Sequence, residues 1–545
     1  MKRLLFVTHR WLGIALGLFM LLWFLSGLVM VYSGSTAVTQ RDRLAHAQEI
    51  PFRGATDLLS AGKAWQLSQP QRSVLARNIK TSKGSDMHAG QADTTTIPTK
   101  QAESRVVEAR LMVLNNLAVW QVADERGQRF ALSALNGEVQ NISSDTALQI
   151  AKIWGGAASS PRLLATVEKD LTTRMMMFDS YRPFHKVALG DSSGTELSIS
   201  SRTGEIVAST TRVERVLAYT GDWLHFFRFL DSVGLGDQRR DILMWTSFVA
   251  CVSVLTGLIV GWMRWRPGWL GGKTYSNGRQ QPYRAAWPRW HFWLGLLGGI
   301  ITLTWMVSGF LVNNPWEMFS KTRFSQEELL HFQGGSLATE ALAMHPETLL
   351  AGKTGITELN LHTVGGRDFS LAFDAEGSAH PLLRSETGRD EEKALRDGAQ
   401  RFLPDAKIKE FVVLADYDDY YYPNHRRRST ERPLPVLRVD FDDAAGHRLY
   451  IDPVRGRPLL KIDNSRRIYR WLFYALHNWD LGVLYSRPVW DVWMVLWSLI
   501  GLALSVTSLW LGWQRLVMSV KSNRLLSSQT IFQAAGNPRI LDPKT

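Results

Sequence analysis

The sequence predicts an α+β integral membrane protein: four transmembrane helices, arranged as a duplicated two-span unit, with a strand-rich domain in each of two long intervening segments. Three observations predict it. Four stretches lack Asp, Glu, Lys and Arg, namely Trp11–Gln40, Ile242–Met263, Trp290–Trp316 and Val492–Gln514. Each holds an apolar run near the roughly 20 residues needed to cross a bilayer. The first and third stretches repeat each other without a gap: His9 returns as His291, Trp11 as Trp293, Gly13 as Gly295, Trp23 as Trp305, and Ser26-Gly27 as Ser308-Gly309. Between the spans, apolar and polar residues alternate between glycine-marked turns, the pattern of half-buried strands.

Taken in order, residues 1–40 form a short basic end and the first span. The apolar part exceeds the usual signal-peptide core of about 7–15 residues and has no clear small-residue cleavage site after it, so it reads as a span. Residues 41–241 form the first strand-rich domain. LAVWQVADERGQRFALSALNGEV turns at Arg126-Gly127 and Asn136-Gly137, and HKVALGDSSGTELSISSRTGEIV repeats the design. The polar stretch 82–100 reads as a flexible loop. Residues 242–263 are the second span, 264–289 a basic loop, and 290–316 the third span. Residues 317–488 form the second strand-rich domain, where RVDFDDAAGHRLYIDPVRGRPL and FSLAFDAEGSAHPLL again read as hairpins and Asp390–Phe402 as a helix. Residues 489–514 are the fourth span and 515–545 a basic tail.

The formal net charge is +13. Met1–Arg10, Arg264–Arg289 and Arg515–Thr545 carry the whole excess, so the two long segments are neutral overall. That distribution is the positive-inside pattern, which expects both termini and the 264–289 loop in the cytoplasm and the two long segments outside. It speaks against nucleic acid as the partner and for the lipid bilayer. The single cysteine, Cys251, falls inside a span. One cysteine excludes an intrachain disulfide, a covalent c-type haem and a cysteine-ligated iron–sulfur or zinc site.

The repeat extends to a second set of histidines. WLHFFRFL precedes the second span with His225, and ALHNWDLGVLY precedes the fourth with His477; downstream, Thr256 answers Thr507 and Trp262 answers Trp513. The topology therefore yields two same-side pairs, His9 with His291 inside and His225 with His477 outside. Ionisable or metal-binding groups at membrane helices are costly and are functional candidates by default. Two imidazoles from facing helices are what a six-coordinate b-type haem requires, so two non-covalent b-type haems are expected, with all four histidines as iron ligands. Gly13, Gly17, Gly295, Gly298 and Gly299 would admit a flat macrocycle; ordinary close helix packing is the alternative, and the two readings are compatible. Most of the 22 tryptophans fall at span edges as an aromatic belt. Trp23 and Trp305 lie mid-span, either in the core or between two cofactors. Zinc fits less well, because neither pair has a third ligand at fixed spacing. Proton translocation fits less well because the spans contain no Asp or Glu.

The spans, the HRWLG start, the LH motifs and the stretches DYDDYYYPNHRRRSTERPLPVLRVDFDD and RWLFYALHNWDLGVLYSRPVWDVW resemble the PepSY-associated transmembrane proteins of bacterial inner membranes. The resemblance covers nearly the whole chain. It implies PepSY-like periplasmic domains, two b-type haems and a transmembrane electron route to siderophore-bound ferric iron. His9, His291, His225 and His477 match that family's histidine motifs at helix ends; WLHFFRFL departs from the commoner LH-x-G form. No GxGxxG fingerprint accompanies the tail, so a quinol or a separate reductase is the expected electron donor.

An acceptor, a ferric siderophore or other ferric chelate, would then dock outside. Tyr420, Tyr421, His425, Arg426, Arg427 and Arg428 place aromatics and bases together within DYDDYYYPNHRRR. A solvated loop with tyrosines packed on a sheet is the competing reading. At the level of the whole chain, the alternative is an envelope binding or regulatory protein, inhibiting a peptidase or sensing, that four helices anchor. An anchor does not need paired histidines. A transporter would call for a charged midplane or a broken span, and neither is present.

Overall fold

The computed structural model describes residues 1–51, 58–74, 104–269, 272–382, 389–423 and 432–535. It divides into two compact units. The first comprises Met1–Ser33, Leu217–Met318 and Tyr469–Thr545, the second Gly34–Val216 and Phe319–Ile468. The segment expected to be a flexible loop, 82–100, lies outside the described residues.

The first unit is built on four long helices: α1 (Lys2–Met30), α2 (Arg239–Arg264), α3 (Ala286–Leu311) and α4 (Val489–Ala535). All four contain a stretch long and apolar enough to cross a membrane. The two repeated helices, α1 and α3, each pack against both α2 and α4, which puts them across the bundle from each other. Glycines let the helices approach. A Cβ on Gly298 would lie 2.6 Å from Ile500 on α4, and one on Gly299 would lie 2.7 Å from Leu258 on α2. These two glycines thus allow close helix packing.

Charge-free windows and helix bounds differ at two ends. The first window runs to Gln40, but α1 stops at Met30, ahead of Ser33-Gly34-Ser35-Thr36, residues that give up helical geometry readily. The fourth window stops at Gln514, yet α4 continues to Ala535. Residues 515–535 contain neither Gly nor Pro, so nothing local ends the helix where its hydrophobicity does.

Among the described residues, the second unit contains three antiparallel sheets. Its strands are β1 (Val106–Leu114), β2 (Leu117–Asp124), β3 (Arg129–Ser133), β4 (Arg162–Val167), β5 (Phe184–Ala188), β6 (Glu196–Ser200) and β7 (Ile206–Thr210) from the first long segment. The second segment supplies β8 (Ile356–Val364), β9 (Arg367–Asp374), β10 (Ala379–Pro381), β11 (Lys407–Leu414), β12 (Val436–Asp442), β13 (Arg448–Asp452) and β14 (Arg457–Ile462). The hairpins and the helix near Asp390–Phe402 form where the alternation predicts them. The arrangement between halves is new. One six-stranded sheet runs β10-β9-β8-β1-β2-β3, and each half adds its own four-stranded sheet, β4-β5-β6-β7 or β11-β12-β13-β14. The order of the shared sheet reads as a palindrome about the β1/β8 pair, where Arg110 faces Asn360.

Alternation divides that pair into two faces. Ala109, Leu111, Leu359 and Leu361 join Trp120 and Val122 in the largest apolar cluster. The opposite face carries Glu108, Arg110, Glu358, Asn360 and His362, all buried. Charges are tolerated there because they are paired. Arg110 binds Glu205 at 2.7 Å, Arg43 pairs with Glu358, and Arg457 pairs with Glu108. Burial opposes ionisation of Glu108, but Arg457, Arg129 and Arg110 together hold its carboxyl well below the usual carboxylate range.

Candidate cofactor site

The helices bring the four repeated histidines together as two pairs. His9 of α1 and His291 of α3 have ring centroids 6.3 Å apart, and His225 and His477 also stand 6.3 Å apart. Two imidazole–metal bonds of about 2 Å, plus about 1.1 Å from each ligating nitrogen to its ring centre, give roughly 6.2 Å between centroids. That separation would fit one ion held between the two rings of each pair. Among the described residues, no group of three His, Cys, Asp or Glu side chains is placed to hold a metal.

Hydrogen bonds set the tautomer of every ring. Ser26 donates its hydroxyl hydrogen to the Leu22 carbonyl at 2.6 Å, and Ser308 donates to Thr304 at 2.7 Å. Each serine oxygen must then accept, so His225 Nδ1 donates to Ser26 Oγ (3.1 Å) and His477 Nδ1 to Ser308 Oγ (2.9 Å). Thr507 likewise donates to Leu504 at 2.7 Å and accepts from His291 Nδ1 at 3.0 Å. His9 Nδ1 donates to the Ser253 carbonyl at 3.0 Å. All four rings carry hydrogen on Nδ1, which leaves the lone pair on Nε2. That is the arrangement a ligating imidazole adopts when a partner fixes its other nitrogen.

Local backbone geometry positions the second pair. π-helical turns, Ala218–Trp223 and Arg470–Ala475, precede His225 and His477; such turns recur at functional sites. Two residues beyond each histidine the chain takes a left-handed conformation, at Phe227 (φ 51°) and Trp479 (φ 54°). A bulky residue holds that geometry only where its surroundings enforce it. Part of that enforcement comes from the repeated tryptophans. Trp23 Nε1 donates to the His225 carbonyl (3.1 Å), and Trp305 Nε1 donates to the His477 carbonyl (3.0 Å). The Trp-x-x-Ser spacing puts both side chains on one helix face. Trp23 and Ser26 thus hold His225 as Trp305 and Ser308 hold His477.

For the first pair, the decisive glycine is Gly257. A Cβ there would come within 2.6 Å of the His9 ring. Residues 9 and 26, like 291 and 308, are 17 positions apart, which separates the two pairs by roughly 25 Å along the helix axes. The space between is apolar, with Leu16, Phe24, Ala250, Trp305 and Met306 in one cluster. Phe24 meets Trp305 edge-on at 5.7 Å.

The candidate docking residues are a separate matter. His425, Arg426, Arg427 and Arg428 lie outside the described residues. Tyr421 is fully buried, stacked on Tyr450 at 5.1 Å, and donates to the Pro433 carbonyl at 2.9 Å. It offers no surface to a docked molecule and belongs to the sheet's packing. Tyr420 is half-buried between the guanidinium groups of Arg448 and Arg467. Sequence reasoning missed Ser26, Ser308, Thr507 and the Ser253 carbonyl. The signal for three of them was available, since Ser26/Ser308 and Thr256/Thr507 recur with the histidines.

The family model described as the PepSY-associated TM region matches residues 6–403. That stretch takes in three of the four histidines and both Trp-x-x-Ser motifs. No curated protein matches the chain.

Proposed function

This chain belongs to the PepSY-associated transmembrane family, and from that premise we propose that it is an inner-membrane oxidoreductase holding two b-type haems, which passes electrons across the bilayer to reduce periplasmic ferric chelates such as siderophore-bound iron. The observation that carries this reading is the equality of the two imidazole pairs, both at 6.3 Å. A shared Nδ1–H tautomer supports it. Haem would supply one-electron chemistry at His9/His291 and at His225/His477.

The chain's own contribution is to orient and insulate. Ser26, Ser308, Thr507 and the Ser253 carbonyl hold each ring by its Nδ1, so that Nε2 would be the ligating nitrogen without a tautomer change. The apolar side chains between the pairs keep water and competing ligands out of the middle of the bundle. The charge distribution supports a direction: with the basic segments cytoplasmic, the His9/His291 pair faces the electron donor, a quinol or a separate reductase. The His225/His477 pair then faces the periplasm. Tyr420 and the stretch His425–Arg428 supply aromatic and basic groups for an anionic ferric chelate.

The visible spectrum of the purified protein tests this reading. A reducible b-type Soret and α band with about two haems per chain is expected, and His477→Ala or His225→Ala should each remove the same half. A protein that binds no haem, or keeps both haems in these variants, would overturn it.

A further inference from the structure

The duplication supplies an internal comparison within the strand-rich unit. Thr39 and Ser325 both open a short helix with a capping box, closed by Asp42 and Glu328. Seven residues beyond each cap stand His46 and Phe332. In the second half Phe332 is 1% exposed and packed with Val364 and Leu395. In the first half the corresponding His46 lies outside the core, its ring stacked on Trp154 at 3.9 Å. The second half thus buries a phenyl ring where the first half has an imidazole outside the core.

The turn between the first two strands of each half explains the difference. In the second half it is Gly365-Gly366, and a Cβ on Gly365 would lie 2.3 Å from the Ala394 carbonyl of helix Arg389–Phe402. That helix seats directly on bare backbone. In the first half the turn is Asn115-Asn116, in the same left-handed conformation. Asn115 Nδ2 donates to Gln149 Oε1 at 2.6 Å and holds helix Ser144–Gly155 by a side-chain bridge instead. Between that helix, the end of β1 and the Gly204 turn runs a groove.

Its walls are apolar, with Met112, Leu114, Ile153 and Trp154, while Arg43 and Glu205 also line it. Glu205 has a side chain only 6% exposed. Its Oε1 accepts from Arg110 at 2.7 Å, whereas its Oε2 has no hydrogen-bond partner among the described residues. A buried carboxylate oxygen without a donor is a costly feature that a ligand can relieve. The groove shares the make-up of small-molecule sites, mostly apolar with a few convergent polar groups.

We propose that this groove is a binding site for a small organic ligand with an aromatic body, taking the place that Phe332 occupies in the other half, and a hydroxyl or ammonium donor directed at Glu205. The site is independent of the histidine pairs.

Saturation-transfer NMR on the full chain in detergent micelles, with a protein-free micelle blank, tests it using three probes: phenethylamine, 2-phenylethanol and 3-phenylpropionate. The amine and the alcohol should bind saturably and the carboxylate at least tenfold more weakly. Ile153→Trp fills the groove from a half-buried position and should weaken the amine at least tenfold. The double change Asn115→Gly with Asn116→Gly, which copies the second half's turn, should do the same by letting the helix close. No saturable binding of the amine or alcohol above the blank would overturn the proposal. So would unchanged binding in Ile153→Trp, and carboxylate binding equal to that of the amine would overturn the ligand class.

Discussion

Ser308 and His477 act as one unit: the serine hydroxyl hydrogen goes to the Thr304 carbonyl, and its oxygen receives the imidazole Nδ1–H at 2.9 Å. The ring cannot change tautomer without leaving the hydroxyl oxygen facing a bare nitrogen. Ser26 does the same for His225.

Ser308→Ala should therefore loosen the ligand without removing it. Loss of such an outer partner typically weakens metal binding by about 10–100-fold. Haem titration of the purified variant should show one site weakened to that extent and the other unchanged. Ser308→Thr keeps the hydroxyl and should restore binding; equal weakening in Thr and Ala variants would assign the effect to packing.

Gly257 and Gly309 make a matched pair of controls. An added methyl at 257 would meet the His9 ring at 2.6 Å, whereas one at 309 meets nothing within 4 Å. Gly257→Ala should displace His9 and lose the haem component assigned to the His9/His291 pair. Gly309→Ala should leave the spectrum and thermal midpoint as in the parent protein. The same loss in both variants would refute the local argument.

Stability of the strand-rich unit should depend on pH through His362. Burial, reinforced by the Arg457 cation, lowers its pKa from 6.5 to about 4. The folded ring stays neutral where the unfolded one protonates, so the unfolded state binds more protons between these values. Stability is then complete above about pH 6.5 and falls as pH drops towards 4, by up to roughly 3 kcal/mol. Thermal midpoints measured from pH 7.5 to 4.5 should decline in the parent protein. In His362→Gln the decline over that range should be shallower.

Acceptor docking is testable through the basic stretch. Replacing Arg426, Arg427 and Arg428 by Gln should leave the haem spectrum unchanged, because none of them belongs to the histidine pairs. Stopped-flow reoxidation of the reduced protein by an anionic ferric chelate should slow and lose its salt dependence, as electrostatic steering requires. An unaltered rate and salt slope would place docking elsewhere, with Tyr420 and its flanking Arg448 and Arg467 the next surface to change.

Four spans, their duplication and the identity of the paired histidines were legible in the sequence because each is a local or periodic signal. An apolar run needs only its own composition to be read, and a repeat needs only a second copy. Alternation likewise placed the hairpins around Gly127, Gly377 and Gly446, since a strand with one buried face writes period two into its residues. What only the tertiary structure decided are relations between distant residues. That β1 pairs with β8 across 250 positions follows from edge complementarity between two sheets, to which neither strand's own pattern points. That Trp23 and Trp305 grip histidine carbonyls, and do not simply fill the core, depends on two π-helical turns that composition does not announce. The sequence leaves Tyr421 open between a docking aromatic and a tyrosine packed on a sheet; it is buried against Tyr450, because a side chain's exposure is set by what folds over it.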